Sequence, residues 1–257
     1  QLFELMGAIE KDMDVKINDY ERVDDLHRNG YLIIQDPKRF CFGIDAVILS
    51  DFAEVKKGER VMDLCTGTGI IPILLEAKTD GSHFTGLEIQ EESAEMARRS
   101  VLMNDLQDKV TIDTGDVKNT EELYKASSFD VVTVNPPYMN DGGGLKNEYS
   151  PKTIARHEVL CSLEDVIAAS ARLLAPQGRL YMVHRPHRLT DIMVTLRKYR
   201  LEPKKLRFVH SYSDREPVML LIEAVSNGKP MIKVMPPLIV YKEEGKYTEE
   251  IMKIYYE

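Results

Sequence analysis

The sequence predicts an α/β fold, a doubly wound and mostly parallel sheet with helices on both faces. Three observations lead there. From Arg60 onward, short apolar runs of strand length alternate with longer runs of helical period. The loop after the first of these strands carries a tight turn, Gly67-Thr68-Gly69, at the place where such sheets bind ligands. The chain's 257 residues, 43% of them apolar, supply a core for one large domain that needs neither metal nor disulfide to hold it.

Residues 1–29 read as helical and polar, and Glu21-Arg22-Val23-Asp24-Asp25-Leu26 continues that pattern, so a small N-terminal extension is expected over residues 1–39. Asn29-Gly30 is a turn signal. Residues 31–34 read as a strand and 40–43 as a second, joined through Asp36-Pro37. Asp45 is placed to N-cap a helix with Ala46, Val47, Leu49, Phe52 and Ala53 on its apolar side. The core is expected over residues 40–225. Its seven strands fall at 60–64, 83–88, 110–113, 129–134, 179–183, 207–209 and 218–224, and its main helices at 70–77, 91–103, 163–174 and 189–199. Pro176 and Gly178 stop the third of these helices. Residues 226–257 form an addition with a short strand and a terminal helix.

Net charge is −8 and the isoelectric point is near 5.4, which argues against loose, sequence-blind binding to nucleic acid. The charge is uneven, however. Between Arg179 and Arg207 there are nine Lys and Arg against Asp191 and Glu202 alone, a run that is either a solvated face or a surface for an acidic substrate. Cys41, Cys65 and Cys161 match no zinc or disulfide spacing and read as reduced thiols, with no metal expected. No apolar run approaches the ~20 residues of a membrane span and no signal-peptide pattern opens the chain, so a cytoplasmic protein with no membrane partner is expected.

The loop Asp63-Leu64-Cys65-Thr66-Gly67-Thr68-Gly69 is the expected cofactor turn. Its glycines let backbone approach a ligand, and the next helix opens with unpaired N–H groups. Glu88 lies nineteen residues past Gly69, where an acidic side chain accepts hydrogen bonds from ribose hydroxyls. A dinucleotide would satisfy these features, but Pro72 stands where the third glycine of that pattern belongs, and Asp63 would oppose a pyrophosphate. A cofactor with a cationic amino group and no phosphates suits Asp63 better, and S-adenosylmethionine has both properties. Asp116 is then placed to accept from the adenine amino group, with Ile89 and Val117 holding the ring.

The fourth strand ends in Asn135-Pro136-Pro137-Tyr138. Two prolines fix φ near −65° and bias Asn135 away from helix, giving a rigid corner where cofactor and substrate would meet. A nitrogen conjugated to a flat π-system is a poor nucleophile because its lone pair is delocalised. The Asn135 side-chain oxygen and the Pro136 carbonyl can accept its two N–H bonds and turn the lone pair toward the methyl donor. Tyr138 would stack on the flat group, worth ~1–3 kcal/mol. No strong base is required, and none of the six histidines is assigned to catalysis. His184 reads as structural or as a substrate contact.

Asp63 to Gly69, Glu88, Asp116 and Asn135-Pro136-Pro137-Tyr138, in this order, resemble the amino-methyltransferases of the Rossmann-like class I fold, which include adenine-N6 methyltransferases and release-factor glutamine methyltransferases. The resemblance spans roughly residues 40–225. The segment Phe40-Cys41-Phe42-Gly43-Ile44-Asp45-Ala46-Val47-Ile48-Leu49 and the loop Lys152-Thr153-Ile154-Ala155-Arg156-His157-Glu158 are similar, more narrowly, to the bacterial family that methylates N6 of the adenine just after the anticodon of valine tRNA. By that resemblance, Phe42, Asp45 and Thr66 join the cofactor site, and the loop with Lys152, Arg156 and His157 lies beside the substrate. Lys146, Arg185, Arg188, Lys204 and Lys205 would complete a basic surface for tRNA, on a monomer or weak dimer. A glutamine methyltransferase and a non-catalytic binding module stay open as alternatives.

Overall fold

The computed structural model describes residues 15–38, 41–136 and 161–257. The N-terminal part opens with a hairpin, β1 (Arg22–Asp25) against β2 (Leu32–Gln35), with Val23 opposite Ile34. The helical expectation therefore fails over residues 15–29, where Arg22–Asp25 is a strand and the rest is turn or irregular; the part of it over residues 1–14 lies outside the described residues. The turn at Asn29-Gly30 explains the difference. Both residues adopt positive φ, 51° and 69°, which reverses the chain and pairs the two apolar stretches. The outer edge of β2 is not left bare: Ser100 and Asn104 accept its Ile34 and Leu32 N–H groups at 2.9 and 2.8 Å. Residues 41–43 are irregular rather than a strand, and Phe40 lies outside the described residues. Helix α1 (Ile44–Phe52) has Gly43 as its N-cap, so Asp45 sits one residue into the helix instead of capping it.

The rest is the alternating core: β3 (Arg60–Leu64), α2 (Ile70–Lys78), β4 (His83–Glu88), α3 (Glu91–Met103), β5 (Val110–Thr114), α4 (Thr120–Leu123), β6 (Phe129–Val134), α5 (Leu163–Leu173), β7 (Leu174–His184), α6 (Leu189–Lys198), β8 (Leu201–His210) and β9 (Pro217–Ser226). The order across the sheet is β5-β4-β3-β6-β7-β9-β8. The first five are parallel neighbours, and β9 runs antiparallel between β7 and β8. Alternate residues feed two apolar layers. Val61, Val131 and Tyr181 face one side, and Met62, Val132 and Leu180 the other. Chain order reverses between β3 and β6, so their carboxyl ends form the crevice where such sheets take ligands.

Three boundaries differ from expectation. Helix α5 ends at Leu173, and β7 starts at once, passing Pro176 and Gly178 through an irregular stretch with Gln177 at φ 64°. Strand β8 begins six residues early, because Leu201, Pro203, Leu206 and Val209 face inward between charged neighbours. The seven expected strands gain two short edge segments, β10 (Lys233–Val234) and β11 (Leu238–Ile239), both parallel to β8. A hairpin, β12 (Tyr241–Glu243) and β13 (Lys246–Tyr247), and helix α7 (Glu249–Tyr256) finish the chain. Arg28 donates to the Lys253 and Ile254 carbonyls at 3.3 and 3.0 Å, and Lys78 to Ile254 at 3.3 Å. Cations at a helix C-terminus complement its dipole, so the first hairpin and α2 together hold α7 down.

Glu21 and Arg99 fasten the N-terminal segment to α3, with two hydrogen bonds of 2.7 and 2.8 Å and side chains 3% and 13% exposed. Arg99, helped by the Asn18 N–H, lowers the Glu21 carboxyl from 4.5 to about 2. A lowered carboxyl stabilises the fold above its unfolded value and loses that contribution as pH falls through the folded one. Glu21→Gln should therefore cost about 3 kcal/mol at neutral pH. In urea titrations the gap to wild type should close as pH falls from 4.5 toward 2; a gap that stays constant would count against the pair.

Candidate functional site

Parallel strands place their carboxyl ends on one edge, and the site residues gather along it. Asp63 belongs to β3, Glu88 ends β4, Asp116 follows β5, Asn135 follows β6, and Arg185 follows β7. At ~4.8 Å per strand spacing, this row is about 19 Å long. Asp63 is only 1% exposed. Thr133, opposite it in register, donates to its Oδ1 at 2.6 Å. Its Oδ2 is buried without a hydrogen-bond partner among the described residues, as are the hydroxyls of Thr66 and Thr68. Burial pushes the Asp63 carboxyl up to about 7, against the Thr133 hydrogen bond and the weaker pull of the Thr66 hydroxyl, and the nearby Glu88 adds to the rise. A buried carboxylate with one uncommitted oxygen is matched by a cation that brings its own donors.

The turn after β3 is wound tightly. Cys65, Gly67 and Gly69 all have positive φ, and Gly69 caps α2 with no side chain over the helix N-terminus. Glu88 braces this turn from the next strand: its Oε2 accepts the Gly67 N–H and its Oε1 the Gln90 N–H, each at 2.9 Å. Gly86 makes room for it. A Cβ there would sit 2.8 Å from the Thr66 side chain, so β4 must lack a side chain where the turn folds over it. Asp116 caps a single helical turn through the Lys118 N–H at 2.9 Å, with the Lys118 ammonium 3.7 Å away. Ile89 is half-buried beside it, whereas Val117 is 6% exposed and packs into the core, so it presents little surface to a ligand.

Asn135 donates its amide nitrogen to Asp45 at 3.1 Å. Helix α1 thus reaches over to the corner after β6, and Asp45 and Asn135, ninety residues apart, become neighbours. Phe42 lies at the foot of that helix, half-buried, its N–H donated to Gln35 at 2.7 Å. Pro136 is buried. Pro137, Tyr138, Lys146, Lys152, Arg156 and His157 lie outside the described residues.

The basic stretch does not form one face. Six of its nine cations are in ion pairs within the chain: Arg179 with Glu59, Arg188 with Asp191, Arg197 with Glu202, Lys198 with Glu164, Lys205 with Glu54 and Glu223, and Arg207 with Glu250. Glu54 and Glu59 precede β3, so Arg179 and Lys205 serve the amino edge of the sheet, opposite the site. Lys204 donates to the carbonyls of Lys229 and Pro230. Arg185 and Arg188 do stand at the site edge, just past β7. Between them and the core, His184 is 7% exposed and accepts the Arg185 N–H at 2.8 Å. Burial, with the charges of Arg188, His187 and Arg185, lowers it to about 4, so it is neutral at physiological pH.

Sequence reasoning passed over Thr133 and the meeting of Cys65 with Cys161, whose sulfurs lie 3.8 Å apart. A lone polar residue in the β-branched run of β6 was the available sign of the first; the second is invisible without the fold. Among the described residues, no cluster of three or more His, Cys, Asp or Glu could hold a metal, and no helix is long and apolar enough to cross a membrane.

Comparison with known proteins shows the family and the fold. Residues 43–200 match the family described as the methyltransferase small domain. A tRNA1(Val) (adenine(37)-N6)-methyltransferase of Porphyromonas gingivalis is 30% identical over 220 residues, covering 82% of this chain and 86% of the relative. The protein of that name from Aeromonas hydrophila is 23% identical, covering 82% and 87%. Among solved structures, a predicted O-methyltransferase from Agrobacterium tumefaciens superposes with a TM-score of 0.67 at 21% identity, covering 82% of this chain and 95% of that one. That likeness speaks for the fold alone. The alternating sheet, the turn braced by Glu88 and the extent of the match to the first relative lead to one conclusion: the chain belongs to the methyltransferase small domain family and, within it, to the tRNA1(Val) (adenine(37)-N6)-methyltransferases.

Proposed function

We propose that this chain transfers the methyl group of S-adenosylmethionine to the exocyclic N6 of an adenine in tRNA, adenine 37 of valine tRNA as the relatives' name has it. The observation that carries the reading is the Asn135 corner held by Asp45. A carboxylate only accepts hydrogen bonds, so the Asn135 amide must turn its nitrogen to Asp45. Its oxygen is then the end that accepts an N–H of the target amine, with the Pro136 carbonyl as the second acceptor.

The cofactor residues fit the group. The unpartnered Asp63 oxygen and the Thr66 and Thr68 hydroxyls are buried polar atoms that await a polar ligand. Asp63 would hold the ammonium, the N-terminus of α2 the carboxylate, Glu88 the ribose hydroxyls, and Asp116 with Ile89 the adenine. When bound, S-adenosylmethionine supplies a methyl carbon already activated on its sulfonium. The chain's own residues then orient the acceptor nitrogen, exclude water and place charge. Arg185 and Arg188 meet substrate phosphate at the site edge. Lys146, Lys152, Arg156, His157 and the stacking ring of Tyr138 are assigned to the same task from the sequence.

Incubation with radiolabelled S-adenosylmethionine and unmodified total tRNA should label the tRNA, with N6-methyladenosine as the product nucleoside. Asn135→Ala should bind cofactor normally and lose turnover by about 10²–10³. Label in protein but not in tRNA would replace this reading with the glutamine one.

Asp63 makes a second prediction. Its carboxyl is raised from 3.8 to about 7, so the folded chain holds that proton longer than the unfolded one. Without cofactor, wild type should lose stability relative to Asp63→Asn as pH rises through that interval, by up to about 4 kcal/mol. Denaturant titrations of both from pH 4 to 8 measure the difference directly, and parallel curves would refute the assignment. The Asn variant should also bind S-adenosylmethionine more weakly at neutral pH.

A further inference from the structure

The ion pairs in the basic stretch pose a question that the acceptor corner does not answer. Six of the nine cations between Arg179 and Arg207 are engaged within the chain, so this stretch gains little from displacing counterions on RNA. Uncharged contacts are a second source of affinity, and the C-terminal addition supplies a candidate. Tyr212, Tyr241, Tyr247 and Tyr255 form a continuous series of rings. Neighbouring centroids are 5.5, 5.3 and 5.6 Å apart, and interplanar angles are 33°, 19° and 13°. Three separate elements contribute to it: the turn after β8, the β12–β13 hairpin and α7.

The series sits at the site edge. Strand β8 is antiparallel to β9, which is antiparallel to β7, so β8 ends on the same edge as β6 and β7. Tyr212 lies two residues beyond that end, about 14 Å along the edge from Asn135 at three strand spacings. Val240 and Tyr241 N–H groups donate to the His210 and Ser211 carbonyls at 2.8 and 2.9 Å, which fastens the hairpin there. At the far end Tyr255 is close enough to Asp45 to feel its charge, after burial and the neighbouring Tyr247. Asp45 is the partner of Asn135. All four rings are half-buried, and among the described residues Tyr212 has a ring neighbour on one side only.

We infer that this tyrosine series is a stacking platform for the unpaired bases next to the target nucleotide, with Tyr212 as its receiving end. The inference rests on the tRNA reading and adds to it the surface that holds the rest of the loop. Single-stranded bases in RNA loops are recognised by stacking on aromatic rings, and stacking tolerates sequence because every base has a π-face.

The test is methyl transfer to tRNA by wild type, Tyr212→Ala, Tyr212→Phe and Tyr212→Trp. The Ala variant should raise KM for tRNA about tenfold, with kcat and the KM for S-adenosylmethionine unchanged. Phe and Trp should restore the wild-type KM, and the loss should persist at raised salt because stacking is not screened. An unchanged KM for tRNA in the Ala variant would overturn the platform while leaving the tRNA reading intact. So would a Phe variant as impaired as Ala, which would mean that the hydroxyl matters and not the ring. Failure of wild type to methylate any tRNA would overturn both.

Discussion

Everything at the candidate site depends on the reversal of chain order between β3 and β6. In a parallel sheet, neighbouring strands usually send their helices to fill the space above their carboxyl ends. Where the order reverses, the two helices diverge to opposite faces and a crevice stays open. Leu64 and Val134 are register partners at that point, so the cofactor turn and the Asn135 corner emerge side by side. Asp63 and Thr133 meet one residue below for the same reason. The sheet thus fixes the distance between the donor and acceptor halves of the site, and the loops add chemistry to a spacing already set.

Much of this was legible in the chain. Strands β3 to β6 read directly because each is a short apolar run closed by a turn residue. The Gly67-Thr68-Gly69 turn, Glu88 and Asp116 follow at the spacing of consecutive strand ends. Local patterns misled where tertiary pairing decided the outcome. Arg22–Asp25 is polar enough for a helix, yet the positive φ at Asn29 and Gly30 folds it against β2. Asp45 has the chemistry of a helix cap, but Gly43 takes that place; Asp45 Oδ1 accepts the Ala46 N–H and its Oδ2 the Asn135 amide. Charge was the least legible feature. The cations between Arg179 and Arg207 lie in one stretch of sequence but belong to strands and a helix, and several of them meet acids distant in sequence. A run of like charge carries no information about its partners, whereas an apolar period carries its own.

The two halves of the site differ in how they handle polarity. On the donor side, polar atoms are buried and short of partners: Asp63 Oδ2 and the Thr66 and Thr68 hydroxyls. A buried polar atom without a hydrogen bond costs stability, and a ligand that supplies the missing bond recovers it. On the acceptor side, the amide is held by a partner before any substrate arrives. The turn after β3 thus keeps polar atoms unmatched, whereas the Asn135 amide has its orientation fixed by Asp45.

That Asn135 is held by Asp45 bears on what would have to move together if this site were transplanted. The amide that faces the acceptor is referenced to α1, and α1 is not part of the sheet. It packs against α7, which in turn is pinned at its end by Arg28 from the first hairpin and Lys78 from α2. Grafting the β6 corner and the glycine turn onto another parallel sheet would carry the backbone of the site but not its alignment. The smallest portable unit is larger than residues 43–200, the span that matches the family, because the frame that aims the amide is closed by segments on both sides of it.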